Sequence, residues 1–361
     1  LKSDKQNLKK LAEKDQAQQI IEFYAREPNR VEAMTLSCPL LQVDFSKNLI
    51  SENSLQALLD VKELIDVESK LQAMFNGEPI NHSEKRAARH TLLRSLDSDS
   101  IPELSKPIFS AWRKNLKDIY SLSEKFKKGE KRLDGKTEIT HVLVIGIGGS
   151  HLGSELVCNA LDELAQVPFQ IKFLVNTDPI GFSRIIKEVD IKKCLFIIIS
   201  KSFMTHEVEI NGEHIKELLK ASGLKVEQLN QRFLAVTKNI EKAKAFGVPS
   251  ENIFPLWEWV GGRYSVWSCA ALPIILKFGE SIFEKFLIGG NCVDKHLRET
   301  SINKNIPKWL ALLNFWNDNF LGAESLAIVP YDERLSLFPA YIQQLEMESN
   351  GKSVDNEGAK L

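Results

Sequence analysis

Five short apolar runs, separated by segments with helical spacing, dominate the middle of the chain. They are VLVIG at 142–146, KFLVN at 172–176, LFIII at 195–199, RFLAV at 232–236 and IFPLW at 253–257. The third run has no polar alternation, which is typical of a strand that is covered on both faces. Because strands that alternate with helices form βαβ units, we predict an α/β domain with a doubly wound parallel sheet over residues 136–285.

The regions on either side of this pattern are predicted to be mainly helical. Charged and apolar residues mix at helical spacing in 8–28 and 108–132, which predicts a helical N-terminal region over residues 1–135. Residues 286–361 begin with helices and then contain SLAIVPYDE, an apolar run that predicts the first strand of a second α/β domain. Because only about thirty residues follow this run, we expect the second domain to be truncated.

Composition and charge narrow the class of protein. The 361 residues are 43% hydrophobic and 26% charged, and the formal net charge is -1, so neither nucleic acid nor an anionic membrane is an expected partner. No apolar run approaches the roughly 20 residues of a membrane span. Five scattered cysteines predict a reducing, cytoplasmic location. The seven histidines do not group with cysteines or carboxylates at ligand spacing, so no metal is predicted.

A glycine cluster follows the first predicted strand. Gly146, Gly148, Gly149 and Ser150 lie between that strand and a predicted helix, where backbone N–H groups are available to an anion. A tight turn without a ligand is one alternative. A dinucleotide fingerprint, and with it an NAD-dependent dehydrogenase, is another, but His151 stands at the third glycine position of that fingerprint. The cluster therefore favours a phosphate group over NAD.

Three hydroxyls and one ammonium follow the third predicted strand. Ser200, Lys201, Ser202 and Thr205 come directly after LFIII. Ligands of parallel sheets bind beyond the carboxyl ends of the strands, and a phosphate monoester needs several short donors and positive charge. The alternative is that these residues only cap the next helix. One cap needs one hydroxyl, so three hydroxyls favour a phosphate site.

Two further polar segments contain candidates for catalysis. Arg263 follows a glycine pair in WEWVGGRYSVWS, and a guanidinium can stabilise an oxyanion that forms during a reaction. YIQQLEMESNGKSV contains Glu346 and Glu348 near Gln344, and a carboxylate here could act as a general base if its surroundings raise its pKa. Stacking of the arginine on a neighbouring tryptophan and solvation of the glutamate at the surface are the alternatives.

These segments together resemble the glucose-6-phosphate isomerase family, which is built from two sugar-isomerase domains. The resemblance is carried by INHSEKRAARHTLLR (80–94), VIGIGGSHLGSELV (144–157), LFIIISKSFMTHE (195–207), WEWVGGRYSVWS (257–268) and LAIVPYDERLSLFPAYIQQLEMESNGKSV (326–354). It implies an aldose–ketose isomerase of glycolysis and gluconeogenesis that interconverts glucose 6-phosphate and fructose 6-phosphate. It also implies that no cofactor or metal is needed.

The resemblance assigns a role to each matching residue. Glu348 would move a proton between C1 and C2 of the sugar, Arg263 would stabilise the cis-enediolate, and Gln344 would contact the substrate. The residues that would hold the substrate phosphate are Gly149, Ser150, Ser200, Lys201, Ser202 and Thr205.

The chain departs from the family pattern at several positions. Met204 and Val208 stand where threonines are usual, His151 replaces a common aspartate, and Leu345 with Glu346 replaces a Gly-Asp pair. The later family segment, with a histidine that helps to open the sugar ring, does not occur before residue 361. The lysine that the family carries near its C-terminus, and that acts in the same step, has no counterpart here either. In the family that histidine comes from the partner subunit, so the resemblance implies a homodimer.

Two hypotheses of function fit these segments. The first is the isomerase, with this chain as a fragment of a longer protein. The second is a non-catalytic sensor that binds a sugar phosphate on a sugar-isomerase domain. A sensor would need the serine cluster but would have no need of Arg263 and Glu348 within their motifs, so the enzyme is favoured.

Overall fold

A computed structural model of the chain describes residues 2–61, 64–98, 101–130, 133, 135–355 and 357–360. The helices are α1 Lys2–Gln16, α2 Ile20–Arg26, α3 Arg30–Ala33, α4 Glu52–Leu59, α5 Leu64–Asn76, α6 Lys106–Lys127, α7 Leu152–Ala160, α8 Pro179–Glu188, α9 His206–Ala221, α10 Val226–Asn230, α11 Ile240–Phe246, α12 Leu272–Glu299, α13 Ile306–Asn319 and α14 Phe338–Gln343. The strands are β1 Thr35–Cys38, β2 Leu41–Asp44, β3 His141–Ile145, β4 Gln170–Leu174, β5 Cys194–Ile199, β6 Phe233–Thr237 and β7 Ile253–Pro255. None of the described helices is long and apolar enough to cross a membrane.

The chain divides into two compact units. Residues 1–73 and 288–328 form one unit, called the helical unit, and residues 74–287 and 329–361 form the other, called the sheet unit. The sequence instead predicts boundaries near residues 135 and 285. The division of the structure is therefore discontinuous along the chain, whereas the predicted domains are consecutive, and the predicted boundaries stay a prediction.

The sheet unit contains a five-stranded parallel sheet in the order β4-β3-β5-β6-β7. All five predicted strands are present, and the mixed α/β architecture with a parallel sheet is confirmed. In the register of the sheet, Ile145 of β3 lies opposite Leu174 of β4 on one side and Ile198 of β5 on the other. On the other side of β5, Ile199 lies opposite Val236 of β6, so both neighbours of β5 end close to the start of the polar segment at residue 200.

Alternate residues of the central strands pack into two separate apolar cores. In β5, Leu195, Ile197 and Ile199 face one core, which α6, α7 and α12 cover. Phe196 and Ile198 face the other core, which α9, α10 and α11 cover. Both sets are almost completely buried. This burial explains why LFIII shows no polar alternation, because each face of the strand needs apolar side chains.

The helical unit has its own core, which contains residues from both of its chain segments. Trp309 and Trp316 of α13 pack with residues of α1, α4 and the β1–β2 hairpin. The indole Nε1 of Trp316 donates to the carbonyl of Leu49 at 3.1 Å. The hairpin was not predicted for this region, which was expected to be mainly helical. Each of its strands has four residues and a largely polar or exposed pattern, which is too short for a recognisable period.

The apolar run SLAIVPYDE does not form the predicted sixth strand. Residues 322–330 have no regular secondary structure, and Leu326, Val329 and Tyr331 expose most of their side-chain surface. An extended segment becomes a strand only when a neighbouring strand accepts and donates its backbone hydrogen bonds. Within the described part of the chain, no strand lies beside this segment to do so.

Candidate functional site

The loop after β3 brings the glycine cluster to the carboxyl edge of the sheet. Residues Gly148–Ser150 form a single 3-10 turn, and Gly148 has a positive φ of 54°, a conformation that favours glycine. Gly149 packs directly on the segment that contains Arg263. A Cβ built on Gly149 would lie 2.4 Å from the carbonyl carbon of Gly262 and 2.9 Å from the backbone nitrogen of Arg263. This position has no room for any side chain.

The loop after β5 gathers its hydroxyl groups close together. Ser200 is buried, and its Oγ lies 3.2 Å from Oγ1 of Thr205 and accepts from the backbone N–H of Phe203 at 3.1 Å. The hydroxyl of Ser202 accepts from the N–H of Met204 at 3.1 Å. Thr205 occupies the N-cap position of α9, yet its side chain makes no capping hydrogen bond. Helix capping therefore does not explain these three hydroxyls.

The ammonium group of Lys201 is directed to the segment after β7. Its Nζ donates to the carbonyl of Glu258 at 2.8 Å and to that of Val260 at 3.3 Å, and lies 3.5 Å from the Glu258 carboxylate. Burial, followed by the charge of Arg86, lowers the pKa of Lys201. Lys201 thus joins the serine loop to the segment that leads to Arg263, besides placing a positive charge near the loop.

The segment after β7 is bonded to the glycine loop and to α14. Ser265 donates from Oγ to the carbonyl of Gly149 at 2.7 Å, and Tyr341 donates from Oη to the carbonyl of Arg263 at 3.2 Å. The ring of Tyr264 stacks on His90, with ring centroids 3.9 Å apart and an interplanar angle of 10°. Burial lowers the pKa of His90 to about 3, and the nearby charges of Arg94 and Arg263 act in the same direction. His90 is therefore neutral near pH 7.

The turn after α14 brings the predicted base to the glycine loop and contacts the predicted arginine. Residues Gln344–Glu348 form a π-helical turn, a geometry that is frequent at functional sites. A Cβ built on Gly148 would lie 3.7 Å from Oε2 of Glu348, so this carboxylate borders the glycine loop. Arg263 donates from Nη1 to Oδ1 of Asn350 at 2.7 Å and to the carbonyl of Leu345 at 3.4 Å. Glu348 is exposed, whereas Arg263 is half-buried.

Gln344 is the first residue of this turn and offers a free acceptor. Its side chain is buried, and within the described residues Oε1 has no hydrogen-bond partner. The amide nitrogen makes only a long contact of 3.5 Å with Oγ of Ser349. A buried amide oxygen without a donor is costly in a folded protein unless a ligand supplies the donor. This observation supports a contact between Gln344 and a substrate hydroxyl.

The departures from the family pattern have different structural settings. The side chain of Val208 is buried in the apolar core beneath α9, so a hydroxyl missing there is not a donor missing from the loop. Met204 is 55% exposed. His151 is buried beside Glu155, at 3.7 Å, and burial lowers the pKa of its imidazole to about 4. Leu345 accepts from Arg263 through its backbone carbonyl, which would be present whatever the side chain at this position.

Several residues of the site were not identified from the sequence. Asn350, Ser265 and Tyr341 each bond directly to a predicted site residue or to its backbone. All three lie inside the motifs that were singled out, so their proximity to Arg263 and Glu348 in sequence was the available signal. In the described ranges, no three His, Cys, Asp or Glu side chains gather closely enough to hold a metal ion.

The fold defines a class: a doubly wound α/β protein with a glycine-rich loop and a hydroxyl-rich loop at the carboxyl edge of its parallel sheet. Comparisons with known proteins give the family. A family model described as phosphoglucose isomerase matches residues 44–361. The glucose-6-phosphate isomerase of Ectopseudomonas mendocina is 41% identical over 341 residues, which cover 94% of this chain and 61% of that protein. The one of Methylocella silvestris is 35% identical over 350 residues, which cover 97% and 64%.

A solved structure agrees with these matches. The crystal structure of a glucose-6-phosphate isomerase from Chlamydia trachomatis superposes with a TM-score of 0.86 at 25% sequence identity, over 99% of this chain and 68% of that one. The chain belongs to the phosphoglucose isomerase family, and the resemblance inferred from its motifs is confirmed. It spans 61% of the length of the Ectopseudomonas protein and 64% of the length of the Methylocella protein.

Proposed function

We propose that this chain belongs to an aldose–ketose isomerase that interconverts glucose 6-phosphate and fructose 6-phosphate in glycolysis and gluconeogenesis. One observation carries the proposal: the carboxylate of Glu348 borders the glycine loop, and the guanidinium of Arg263 bonds to Leu345 and Asn350, which lie on either side of Glu348 in the chain. A candidate base, a permanent positive charge and a loop suited to phosphate therefore meet at one edge of the sheet. A protein that only binds a sugar phosphate would not need the first two.

In the proposed reaction, the carboxylate of Glu348 removes the proton from C2 of open-chain glucose 6-phosphate. The electron pair of that C–H bond forms the C1–C2 double bond, and the carbonyl oxygen on C1 becomes an enediolate oxygen. Arg263 stabilises this negative charge, because a prearranged donor is most effective where charge develops. Return of the proton to C1 and transfer of the O2 proton to O1 give fructose 6-phosphate. No oxidant or reductant is consumed.

The substrate phosphate is proposed to bind between the two loops at the ends of β3 and β5. Gly149, Ser150, Ser200, Ser202 and Thr205 would contribute backbone and hydroxyl donors. Lys201 would contribute charge and would also fix the serine loop through its bonds to the carbonyls of the segment after β7. Gln344 would accept from a sugar hydroxyl, which would satisfy its buried Oε1.

We further propose that the whole protein is a cytoplasmic homodimer that uses no cofactor. The scattered cysteines support the compartment. The family resemblance supports the dimer, since it implies a ring-opening histidine from a partner subunit. The proposed partners are small sugar phosphates, with neither nucleic acid nor a membrane among them.

The experiment that tests this function follows proton exchange rather than overall turnover. Fructose 6-phosphate is incubated with the chain in D2O, and the loss of its C1 proton signal is followed by NMR. This readout needs only the open-chain ketose that is present in solution. We expect exchange with the wild-type chain and a loss of at least about 100-fold in Glu348→Gln, because general-base catalysis typically contributes 10²–10⁴-fold.

The matched control is Glu357→Gln, an equally conservative change at an exposed residue close to the end of the chain. It should exchange at the wild-type rate. Binding of sorbitol 6-phosphate, measured by calorimetry, should be the same in Glu348→Gln as in the wild type. Exchange that persists in Glu348→Gln would remove Glu348 as the base, and sugar-phosphate binding without any exchange in the wild type would favour the sensor.

A further inference from the structure

The side chain of Arg263 has one strong hydrogen bond to another side chain. Its Nη1 donates to Oδ1 of Asn350 at 2.7 Å, across 87 residues of sequence. We propose that Asn350 is a positioning residue, which holds the guanidinium of Arg263 in the orientation that meets the enediolate. This inference rests on the proposed function, and it adds a residue for which the motifs predict no role.

The orientation of the Asn350 amide is determined by its two neighbours. Its Nδ2 donates to Oε2 of Glu346 at 2.7 Å. A carboxylate can only accept a hydrogen bond and a guanidinium can only donate one, so the amide oxygen must face Arg263 and the amide nitrogen must face Glu346. Glu346 therefore orients Asn350, and Asn350 orients Arg263. The three side chains form a series of hydrogen bonds in which Arg263 donates to Asn350 and Asn350 donates to Glu346.

A neutral acceptor suits this task better than a carboxylate would. The acceptors of Arg263 in the described part of the chain are two uncharged oxygens, Oδ1 of Asn350 and the carbonyl of Leu345. An uncharged acceptor fixes the direction of the guanidinium and leaves its positive charge available to an oxyanion. A carboxylate in the same place would offset that charge at close range.

Two further contacts of Arg263 involve aromatic residues. Its guanidinium carbon lies 5.3 Å from the centroid of the Tyr264 ring, which is itself stacked on His90. The carbonyl of Arg263 accepts from Oη of Tyr341. The backbone and one face of the guanidinium are therefore held by aromatic residues. A cation over a ring is free to turn about the ring normal, so the acceptors of Nη1 decide where this edge points, and Asn350 at 2.7 Å holds it more closely than the carbonyl of Leu345 at 3.4 Å.

The test compares two ligands that share the phosphate and differ at the reacting end. One is a five-carbon aldonohydroxamate 5-phosphate, whose planar acidic group imitates the enediolate. The other is sorbitol 6-phosphate, which has no such group. We expect Asn350→Ala to weaken the binding of the hydroxamate by about 10- to 100-fold, the range for a hydrogen bond to a charged group. The affinity for sorbitol 6-phosphate should be unchanged. A residue with only a structural role would affect both ligands or neither.

Further variants examine each bond in the series. Asn350→Asp should also lose the preference for the hydroxamate, because the new carboxylate would offset the charge of Arg263. Glu346→Ala should lose part of the preference, and Glu346→Gln, which keeps an acceptor for Asn350, should lose less. Asn350→Ala should have no further effect in an Arg263→Ala background. The control is Asn115→Ala, at an asparagine of α6 whose amide donates to the carbonyl of Ala111 in the same helix.

A second readout separates this inference from the proposed function. The Nε–Hε signal of Arg263 in the ligand-free protein can be assigned by its loss in Arg263→Lys, and it should shift or broaden in Asn350→Ala but not in Asn115→Ala. An unchanged signal, or an equal loss of affinity for both ligands, overturns the inference. If the wild-type chain binds neither phosphate, the proposed function fails, and the Arg263 signal alone then decides whether Asn350 holds this side chain.

Discussion

Gly149→Ala introduces a single methyl group where two backbone segments touch. The new Cβ would lie 2.4 Å from the carbonyl carbon and 2.5 Å from the carbonyl oxygen of Gly262, and 2.9 Å from the nitrogen of Arg263. All three atoms belong to the backbone, so no side-chain rotation can relieve the overlap. The backbone conformation of Gly149 itself is open to alanine, since its φ is not positive. The cost of the change is therefore steric.

The magnitude follows from how far the segments must separate. To restore ordinary contact, the two backbones must move apart by about 1 Å, and overpacking of this kind typically costs about 1–3 kcal/mol. The reduced freedom of the unfolded chain offsets roughly 0.4–1 kcal/mol of that cost. We therefore expect a net loss of up to about 2.6 kcal/mol in the free energy of unfolding, with a central value of about 1.3 kcal/mol. A shift of about 1 Å at Arg263 should also slow proton exchange at fructose 6-phosphate by about 100-fold.

The assay combines urea unfolding with hydrogen–deuterium exchange of the peptides that contain residues 146–152 and 258–268. The matched control is Gly289→Ala, at a helical position of α12 where a Cβ would meet nothing within 4 Å. This control should stabilise by about 0.5–1 kcal/mol through helix propensity. Three results together would contradict the contact between these two segments: Gly149→Ala is as stable as Gly289→Ala, both of its peptides keep their normal amide protection, and it exchanges the fructose 6-phosphate proton at the wild-type rate.

Two further predictions concern the serine loop and the buried histidine. Ser200→Ala should weaken the binding of sorbitol 6-phosphate by about 10-fold in calorimetry. Ser121→Ala, at an exposed position, should leave this affinity unchanged. Equal affinities of the two variants would place the phosphate elsewhere. Because burial lowers the folded-state pKa of His90 to about 3, the unfolded chain binds a proton below about pH 6.5 that the folded chain does not. His90 should therefore contribute about 2 kcal/mol to the fall in stability from pH 7 to pH 5, and this contribution should disappear in His90→Phe, as urea unfolding at both pH values would reveal. A fall of the same size in the variant would contradict the assignment.

The sheet was predictable from the sequence because buried parallel strands have an unmistakable composition. Each central strand needs apolar side chains on two faces, so runs such as LFIII stand out from the helical segments around them. The β1–β2 hairpin has no such requirement, and its four-residue strands could not be recognised. The run SLAIVPYDE has the composition of a strand but no neighbouring strand in the described structure. Composition shows a capacity to pair, while pairing itself depends on the rest of the fold.

The site was predictable as a set of motifs but not as a set of contacts. Long motifs identified Ser200, Arg263 and Glu348, because the chemistry of each residue type suggests a role. The direction of Lys201 depends on carbonyls that lie 57 and 59 residues further along the chain. Asn350 is a polar residue in a polar segment, and nothing in its local sequence indicates a partner 87 residues away. Such contacts are products of tertiary structure, which the pattern of a single segment cannot contain.

The loops of the site are bonded to one another, so its residues cannot be divided cleanly into a group for phosphate and a group for proton transfer. Lys201 joins the serine loop to the segment after β7, and Ser265 joins the same segment to Gly149. Asn350 joins Arg263 to the turn that ends in Glu348. A change in any one of these contacts will move groups assigned to the other task. Effects of substitutions that share a contact are not additive. A loss of phosphate affinity in Lys201→Ala therefore measures both the missing charge and the lost bonds to the backbone carbonyls of Glu258 and Val260, and no side-chain substitution at those two residues removes the bonds alone.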